Sequence, residues 1–138
     1  MMVLGQSIYS LDGLPHKMAG VLPFSSRKGK LDVGYRYLTG KNNSLLVNKG
    51  QHLMGHEFHR WQLITDNQRN NSVNKNISGE KPFDMKPLWT SRSSSSSSQD
   101  EGWSEKLFHA SWIHLHWPSS SGIPLKLRKI LDDLTLSK

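Results

Sequence analysis

The sequence predicts an α/β fold that is rich in strands and ends in a helix. From Ile8 to Thr39, turn signals separate short apolar runs, and Leu31 to Leu38 alternates with the period of a strand that has one buried face. A separate stretch, Pro124 to Leu136, carries leucines at helical spacing. About 100 of the 138 residues lie outside two polar stretches, so the foldable part has the size of one small domain.

Two strands are predicted in the first third of the chain. The apolar run Met18 to Leu22 predicts a buried strand, which Pro23 closes. Leu31 to Leu38 alternates strictly, with Leu31, Val33, Tyr35 and Tyr37 on one side, and this is typical of a half-buried strand. The apolar start of the chain, Met1 to Ile8, is consistent with a short buried helix.

His52 to Ile64 is the next strand candidate. Successive side chains of a strand project to opposite faces, so His56 and His59 are expected on opposite sides of the sheet. A zinc site built from these two histidines is therefore not expected, because ligands that share a face of a strand need even spacing. The sequence predicts no metal site.

Two polar stretches predict flexible insertions. Residues at about 67–81 are rich in asparagine and nearly free of apolar side chains, and those at about 91–101 include a run of serines. Between them, Pro87 to Trp89 is consistent with a short edge strand or an anchor. In the C-terminal helix, Pro124 lies near the first turn and lysines and arginines occupy the other face.

Charge and composition limit the possible functions. The net charge of +7 and the pI near 9.8 favour anionic partners, and a nucleic-acid-binding protein is one hypothesis. The basic residues are scattered in short groups such as Arg27 to Lys30, so we expect a solvated face instead. No secretory signal, membrane span or cysteine is present in the sequence, which favours a cytoplasmic protein.

Five of the seven histidines lie in two short segments. Histidine has an ordinary pKa of about 6.5, so it exchanges protons near neutral pH and is a candidate catalytic base. The more common role of a histidine in a strand is structural, through packing or hydrogen bonds. The two segments are Gly55-His56-Glu57-Phe58-His59 and His109 to Trp117.

The order and spacing of four motifs resemble the C-terminal part of the cobyrinate a,c-diamide synthase family. The resemblance covers roughly residues 1 to 125, apart from the two polar insertions. The motifs are Asp12-Gly13 with Met18 to Pro23, then Leu31 to Arg36, Gly55 to His59, and Ala110 to Trp117.

The resemblance implies a fold and an activity. The fold is an incomplete three-layer class I glutamine amidotransferase domain spanning residues 1–138, with mostly antiparallel strands remaining. In this family, glutamine supplies ammonia, and ATP with magnesium activates ring carboxylates a and c of cobyrinate for amidation. Neither a phosphate-binding loop of the Gly-x-x-x-x-Gly-Lys-Ser/Thr type nor a cysteine is present, so we expect the chain alone to bind no ATP and to be inactive.

The resemblance also implies roles for single residues. His114 matches the family histidine that activates the catalytic cysteine, which would lie just before Met1. A carboxylate two residues after this histidine is common in related amidotransferases, but here that residue is His116, so Glu57 is a candidate orienting acid. His56, His59 and His116 are expected to line or support the site.

Several alternatives remain open. The chain is either one part of a split enzyme, whose complementary chain carries the cysteine and the ATP-binding domain, or a non-catalytic remnant or regulatory module that binds a corrinoid. A related amidase of the cobyrate or nickel-sirohydrochlorin type is a further candidate. An incomplete sheet should also leave an exposed apolar edge, which promotes aggregation unless a partner covers it.

Overall fold

The computed structural model describes residues 1–64, 86–94, 97–105 and 107–136. Over these residues the chain is mixed α/β and rich in strands, with one helix near its C-terminus, as the sequence predicts. The predicted insertion at 67–81 lies outside them. Helix α1 spans Gly122–Leu136, and two 3₁₀ turns span Met2–Leu4 and Trp117–Ser119. The strands are β1 (Ser7–Tyr9), β2 (Pro15–Lys17), β3 (Ser25–Gly40), β4 (His52–Ile64), β5 (Lys86–Arg92), β6 (Gln99–Glu105), β7 (Phe108–Ala110) and β8 (Ile113–Leu115).

The chain divides into two compact units. The first unit comprises Met1–Asp32 with His59–Asp84. In it, β1 pairs antiparallel with β2 and parallel with β3. Its interior contains the buried side chains of Leu22 and Phe24, and a Cβ atom at Gly5 would lie only 2.7 Å from the Phe24 carbonyl oxygen.

The second unit comprises Val33–Phe58 with Met85–Lys138. Strand β5 pairs antiparallel with β3 and with β6, and β6 pairs antiparallel with β7. Strand β4 pairs with β3 and, in the antiparallel sense, with β8. The expectation of mostly antiparallel strands is therefore confirmed for the described pairs. The buried core of this unit consists of Leu38, Val47, Leu88, Trp89 and Ile113.

The strand predicted over His52–Ile64 is confirmed, with the same bounds. The buried strand predicted over residues 18–22 is wrong, because this segment is irregular. Gly20 adopts a φ of +70°, which ends any extended run there. The segment nevertheless makes backbone hydrogen bonds, such as that from Leu22 N–H to the Leu4 carbonyl oxygen at 2.7 Å.

The segment around Trp89 is central in its unit and does not form an edge strand. Strand β5 lies between β3 and β6, and both Leu88 and Trp89 are fully buried. The neighbouring stretch, in which a flexible insertion was predicted at about 91–101, is strand at both ends. Ser91 pairs with Gln99 as β5 and β6 form an antiparallel pair. The prediction of a flexible insertion is therefore wrong for these two ends.

Strand β3 has the predicted alternation, but its apolar side faces outward. Val33, Tyr35 and Tyr37 are more than half exposed, whereas the alternate residues Arg36 and Leu38 are half-buried and buried. The exposed apolar edge of the sheet stays a prediction, and the structure shows an exposed apolar face on β3. The apolar residues of this face have no covering layer among the described residues.

The predicted C-terminal helix is confirmed, and it begins two residues before Pro124. Ile123 is its buried residue, while Leu125 and Leu131 of the apolar stripe are exposed. The Lys126 Nζ atom donates hydrogen bonds to the Val47 carbonyl oxygen at 2.6 Å and to Asn48 Oδ1 at 2.7 Å. These bonds attach α1 to the loop between β3 and β4.

The N-terminal apolar segment forms a single 3₁₀ turn, and the predicted short buried helix is wrong. The turn contains no buried residue, and Val3 is exposed. Among the described residues, no helix has both the length and the apolar character needed to cross a bilayer.

Candidate functional site

His56 and His114 face each other across two strands. In the antiparallel pair of β4 and β8, the Cα atom of His56 is the register partner of that of His114. Directly opposed residues of an antiparallel pair project to the same face of the sheet. His114 is exposed and His56 is half-buried, so both imidazoles are accessible from that face.

The same face carries large apolar side chains. The Tyr35 ring packs edge-on against the His56 ring, with centroids 5.4 Å apart and an interplanar angle of 72°. Tyr35 is 69% exposed and Phe58 is 61% exposed. Arg92 of β5 lies over the Tyr37 ring, with its Cζ atom 5.7 Å from the centroid. We call this surface the open face, which is formed by Val33, Tyr35, Tyr37, Met54 and Phe58 and surrounds His56.

Glu57 does not share this face. Its register partner on β8 is Ile113, the neighbour of His114, so its carboxylate projects to the opposite side of the sheet. There Glu57 is buried, and the Arg36 Nε atom donates to its Oε2 atom at 2.6 Å. The geometry therefore does not support Glu57 as the orienting acid of His114, because neighbouring residues of a strand point in opposite directions.

Glu101 holds the segment that leads into β8, and the sequence analysis did not identify it. Its Oε2 atom accepts hydrogen bonds from Trp89 Nε1 at 2.5 Å and from Ser111 Oγ at 2.7 Å, and its Oε1 atom accepts one from the Trp112 N–H at 2.9 Å. Burial raises the pKa of the Glu101 carboxyl group, and these three bonds oppose the rise. The Ser111 Oγ atom also accepts from the Ile113 N–H at 2.8 Å, so this network fixes the start of the strand that carries His114.

His109 is a second residue that the sequence analysis left without a role. Its ring packs edge-on against Trp89, with centroids 5.3 Å apart. Burial lowers the pKa of His109 to about 4, so the imidazole is neutral at pH 7. Its Nδ1 atom is buried, and within the described residues no hydrogen-bond partner reaches it. His109 is therefore a half-buried aromatic residue that packs against the core side chain of Trp89 and has an acid-sensitive ring.

The two remaining predicted histidines, His59 and His116, are not part of the register pair of His56 and His114. His59 belongs to the first unit and is half-buried, and its Nδ1 atom accepts a hydrogen bond from the Trp61 N–H at 3.4 Å. His116 follows β8, is exposed and occupies the N-cap position of the 3₁₀ turn that comes next. Their supporting roles stay predictions.

A cavity of about 400 Å³ lies in the first unit, and none of the predicted site residues lines it. Tyr9, Ser10, Arg27, Lys28 and Ile64 are among its lining residues. The residues that line the cavity belong to the first unit, whereas His56 and His114 belong to the second.

Comparison with known proteins connects this chain to a family. The cobyrinate a,c-diamide synthase of Gloeobacter violaceus is 35% identical over 118 residues, which is 85% of this chain. The hydrogenobyrinate a,c-diamide synthase of Streptomyces coelicolor is 33% identical over 82% of the chain, and the cobyrinate enzyme of a Synechococcus species is 31% identical over 85%. The chain is related to the cobyrinate a,c-diamide synthases. The resemblance carried by the sequence motifs is therefore confirmed.

The relationship covers a small share of each relative. The matched segment amounts to 22% of the Gloeobacter violaceus synthase and 19% of the Streptomyces coelicolor synthase, so the chain spans about a fifth of their length. No family model matches the chain. No solved structure matches it either.

Proposed function

We propose that this chain is the C-terminal part of the glutamine amidotransferase domain of a corrinoid a,c-diamide synthase, in which His114 activates a cysteine supplied by another segment or chain. The observation that carries the proposal is the similarity to the Gloeobacter violaceus cobyrinate a,c-diamide synthase over 85% of the chain. In this proposal the described strands are the remaining part of a three-layer class I amidotransferase domain.

The position of His114 suits a base that acts on a group from outside the chain. A cysteine thiol with a pKa near 8.5 is mostly protonated at neutral pH, so a neighbouring imidazole is needed to accept its proton. The thiolate then attacks the amide carbon of glutamine, and the imidazolium returns the proton to the departing ammonia. Water completes the cycle by hydrolysing the thioester to glutamate. The exposed imidazole of His114 is open to a thiol that approaches from the open face.

The open face supports a partner layer. Full burial of a large apolar side chain stabilises by about 1.5–3 kcal/mol. Five such side chains around His56 therefore favour a covering layer, and Tyr35 alone is 69% exposed. We assign this covering layer to the part of the synthase that carries the cysteine. In this arrangement the layer also excludes water from His114.

ATP and magnesium belong to the rest of the synthase in this proposal. The sequence contains no Gly-x-x-x-x-Gly-Lys-Ser/Thr loop. No step of the amidation itself is therefore assigned to residues of this chain.

A non-catalytic corrinoid-binding remnant is the second candidate function. Glu57 faces away from His114, and residue 116 is a histidine in place of a carboxylate. An imidazole without an orienting acid is a weaker base catalyst, because nothing fixes its tautomer. These two observations favour the non-catalytic remnant. A related amidase of the cobyrate or nickel-sirohydrochlorin type is the third candidate.

A chimaeric synthase tests the proposed function. In the Gloeobacter violaceus cobyrinate a,c-diamide synthase, the 118-residue segment that matches this chain is replaced by the corresponding residues of this chain. The proposal predicts that the chimaera converts cobyrinate to its a,c-diamide with glutamine as the nitrogen donor, and a synthase that lacks the segment serves as the control. A chimaera that folds and uses free ammonia but not glutamine would identify the segment as a non-catalytic remnant.

A further inference from the structure

The His56–His114 pair has the arrangement of a two-point chelate. The two residues are direct register partners, and such partners have Cβ atoms about 4.5–5.5 Å apart on one face of the sheet. Rotation about the side-chain bonds of two histidines at this separation brings ring nitrogens within the distance that one metal ion can bridge. No other pair of predicted site histidines is aligned by a strand register within the described residues.

We propose that His56 and His114 together bind a divalent transition-metal ion such as Zn²⁺, Ni²⁺ or Cu²⁺ on the open face. Zinc binds histidine nitrogen at about 2.0–2.1 Å, so two nitrogens on one tetrahedral ion lie about 3.3 Å apart. Imidazole nitrogen suits Zn²⁺, Ni²⁺ and Cu²⁺, whereas Mg²⁺ and Ca²⁺ prefer oxygen. The two protein ligands are both nitrogen, and water completes the coordination of the ion.

The surroundings of the pair favour binding. The exposure of His114 gives an ion access from solvent. The Tyr35 ring packs against the His56 ring and limits the orientations it can adopt, which lowers the entropy lost on binding. The nearby Glu57 carboxylate lies on the opposite face, where Arg36 pairs with it, so the ion does not compete with that ion pair.

His52 provides a matched control on the same strand. It lies four residues before His56, which places it on the same face about 13 Å away. Its Nδ1 atom makes a hydrogen bond with Thr39 Oγ1 at 3.1 Å. At this distance His52 does not share an ion with His56 or His114.

The metal site goes beyond the proposed function and stands on the strand register alone. One consequence does rest on the proposed function. An ion that binds His114 occupies the lone pair with which the imidazole would accept the proton of a cysteine. Zn²⁺ would then inhibit glutamine hydrolysis reversibly, and a chelator would restore it.

Isothermal titration of the full chain with Zn²⁺ tests the site without any requirement for catalysis. We expect one ion per chain, at least tenfold weaker binding after His56→Asn and after His114→Asn, and unchanged binding after His52→Asn. Circular dichroism of each variant verifies the fold. Mg²⁺ should not displace Zn²⁺ at equal concentration.

Two results would overturn the metal site. One is the absence of measurable Zn²⁺ binding by the wild-type chain, and the other is binding by His56→Asn or His114→Asn that matches the wild type. Neither result affects the proposed amidotransferase function, because that is measured by amidation in the chimaera. Conversely, an inactive chimaera leaves the titration result intact.

Discussion

The Arg36 Nε atom and the Glu57 Oε2 atom lie 2.6 Å apart, on the face of β4 opposite to that of His114. Both side chains are largely buried, with exposed fractions of 12% and 8%. The side chains of the motif Gly55 to His59 thus project to two opposite faces of the sheet. Its carboxylate forms an ion pair on one side, and its first histidine lies beside the candidate base on the other.

The buried ion pair predicts a non-additive mutational cycle. Glu57→Gln leaves the charge of Arg36 without its full compensation, and Arg36→Met does the same to the charge of Glu57. We expect each single change to lower the free energy of unfolding by about 3 kcal/mol. The double variant Arg36→Met with Glu57→Gln should lose less than the sum of the two single changes. Urea denaturation measures all of these. Arg128→Met, which removes an exposed pair with Asp132, should change stability by less than about 0.5 kcal/mol, and equal losses at both pairs would contradict the assignment.

Glu101 should contribute far more to stability than its sequence neighbour. Glu101→Gln removes the charge that accepts from Trp89, Ser111 and Trp112, so we expect a loss of about 1–3 kcal/mol in the free energy of unfolding. Asp100→Asn is the control, because Asp100 pairs with Lys41 at an exposed position. That change should cost less than about 1 kcal/mol. Similar losses for the two variants in chemical denaturation would refute the anchoring role of Glu101.

Close packing of β4 against β8 predicts a sensitive glycine. A Cβ atom at Gly55 would lie 2.3 Å from Ile113 Cγ2 and 3.1 Å from the His114 carbonyl oxygen. Gly55→Ala should therefore push β8 away and destabilise by about 1–3 kcal/mol. Gly122→Ala is the matched control and should be nearly neutral, because no atom of the described residues outside its chain neighbours and its own helix backbone lies within 4 Å of the added carbon. Thermal unfolding and the NMR shifts of His114 report on the two variants, and an unperturbed His114 in Gly55→Ala would contradict the close approach.

The lowered pKa of His109 predicts that the folded chain loses stability in acid. Burial lowers its pKa to about 4 in the folded chain, against about 6.5 when unfolded, so the unfolded state binds more protons between these values. Stability due to this residue is full above about pH 6.5 and falls as the pH drops toward 4, by at most about 3 kcal/mol. His109→Phe should lose less stability between pH 7 and pH 4.5 than the wild type does. The comparison of the two chains cancels the opposite contribution of Glu101, whose raised pKa favours folding in acid. Parallel pH profiles would show that His109 is not buried as described.

Local pattern was enough to predict the longest regular elements. A composition compatible with strands located β4 at His52–Ile64, and helical spacing with Pro124 in the first turn located α1. The side-chain period of a strand also predicts opposite faces for His56 and His59, because it depends only on backbone geometry. The alternation of residues in β3 did not show which face of the strand is buried. Burial depends on the layers packed against the sheet, and the face with Tyr35 and Tyr37 is exposed.

The site residues that the sequence analysis missed lie where local composition is misleading. Glu101 follows a run of serines, which predicts a flexible segment, but the pairing of Ser91 with Gln99 makes both ends strand. The hydrogen bonds of Glu101 to Ser111 and Trp112 join residues about ten positions apart, which only the fold of β6 and β7 brings together. The register that opposes His56 to His114 is likewise non-local, since 58 positions separate the two residues. The proposed role of His114 came from the family resemblance.

The central claim is that His114 is the base of a glutaminase, and glutamine hydrolysis by the chimaeric synthase tests it most directly. Glutamate release is measured for the wild-type segment, for His114→Asn and for His52→Asn, with free ammonia as an alternative nitrogen donor. The account predicts that His114→Asn lowers kcat with glutamine at least a hundredfold and leaves ammonia-dependent amidation intact, while His52→Asn behaves as the wild type. Glutamine hydrolysis by His114→Asn at the wild-type rate would contradict the account.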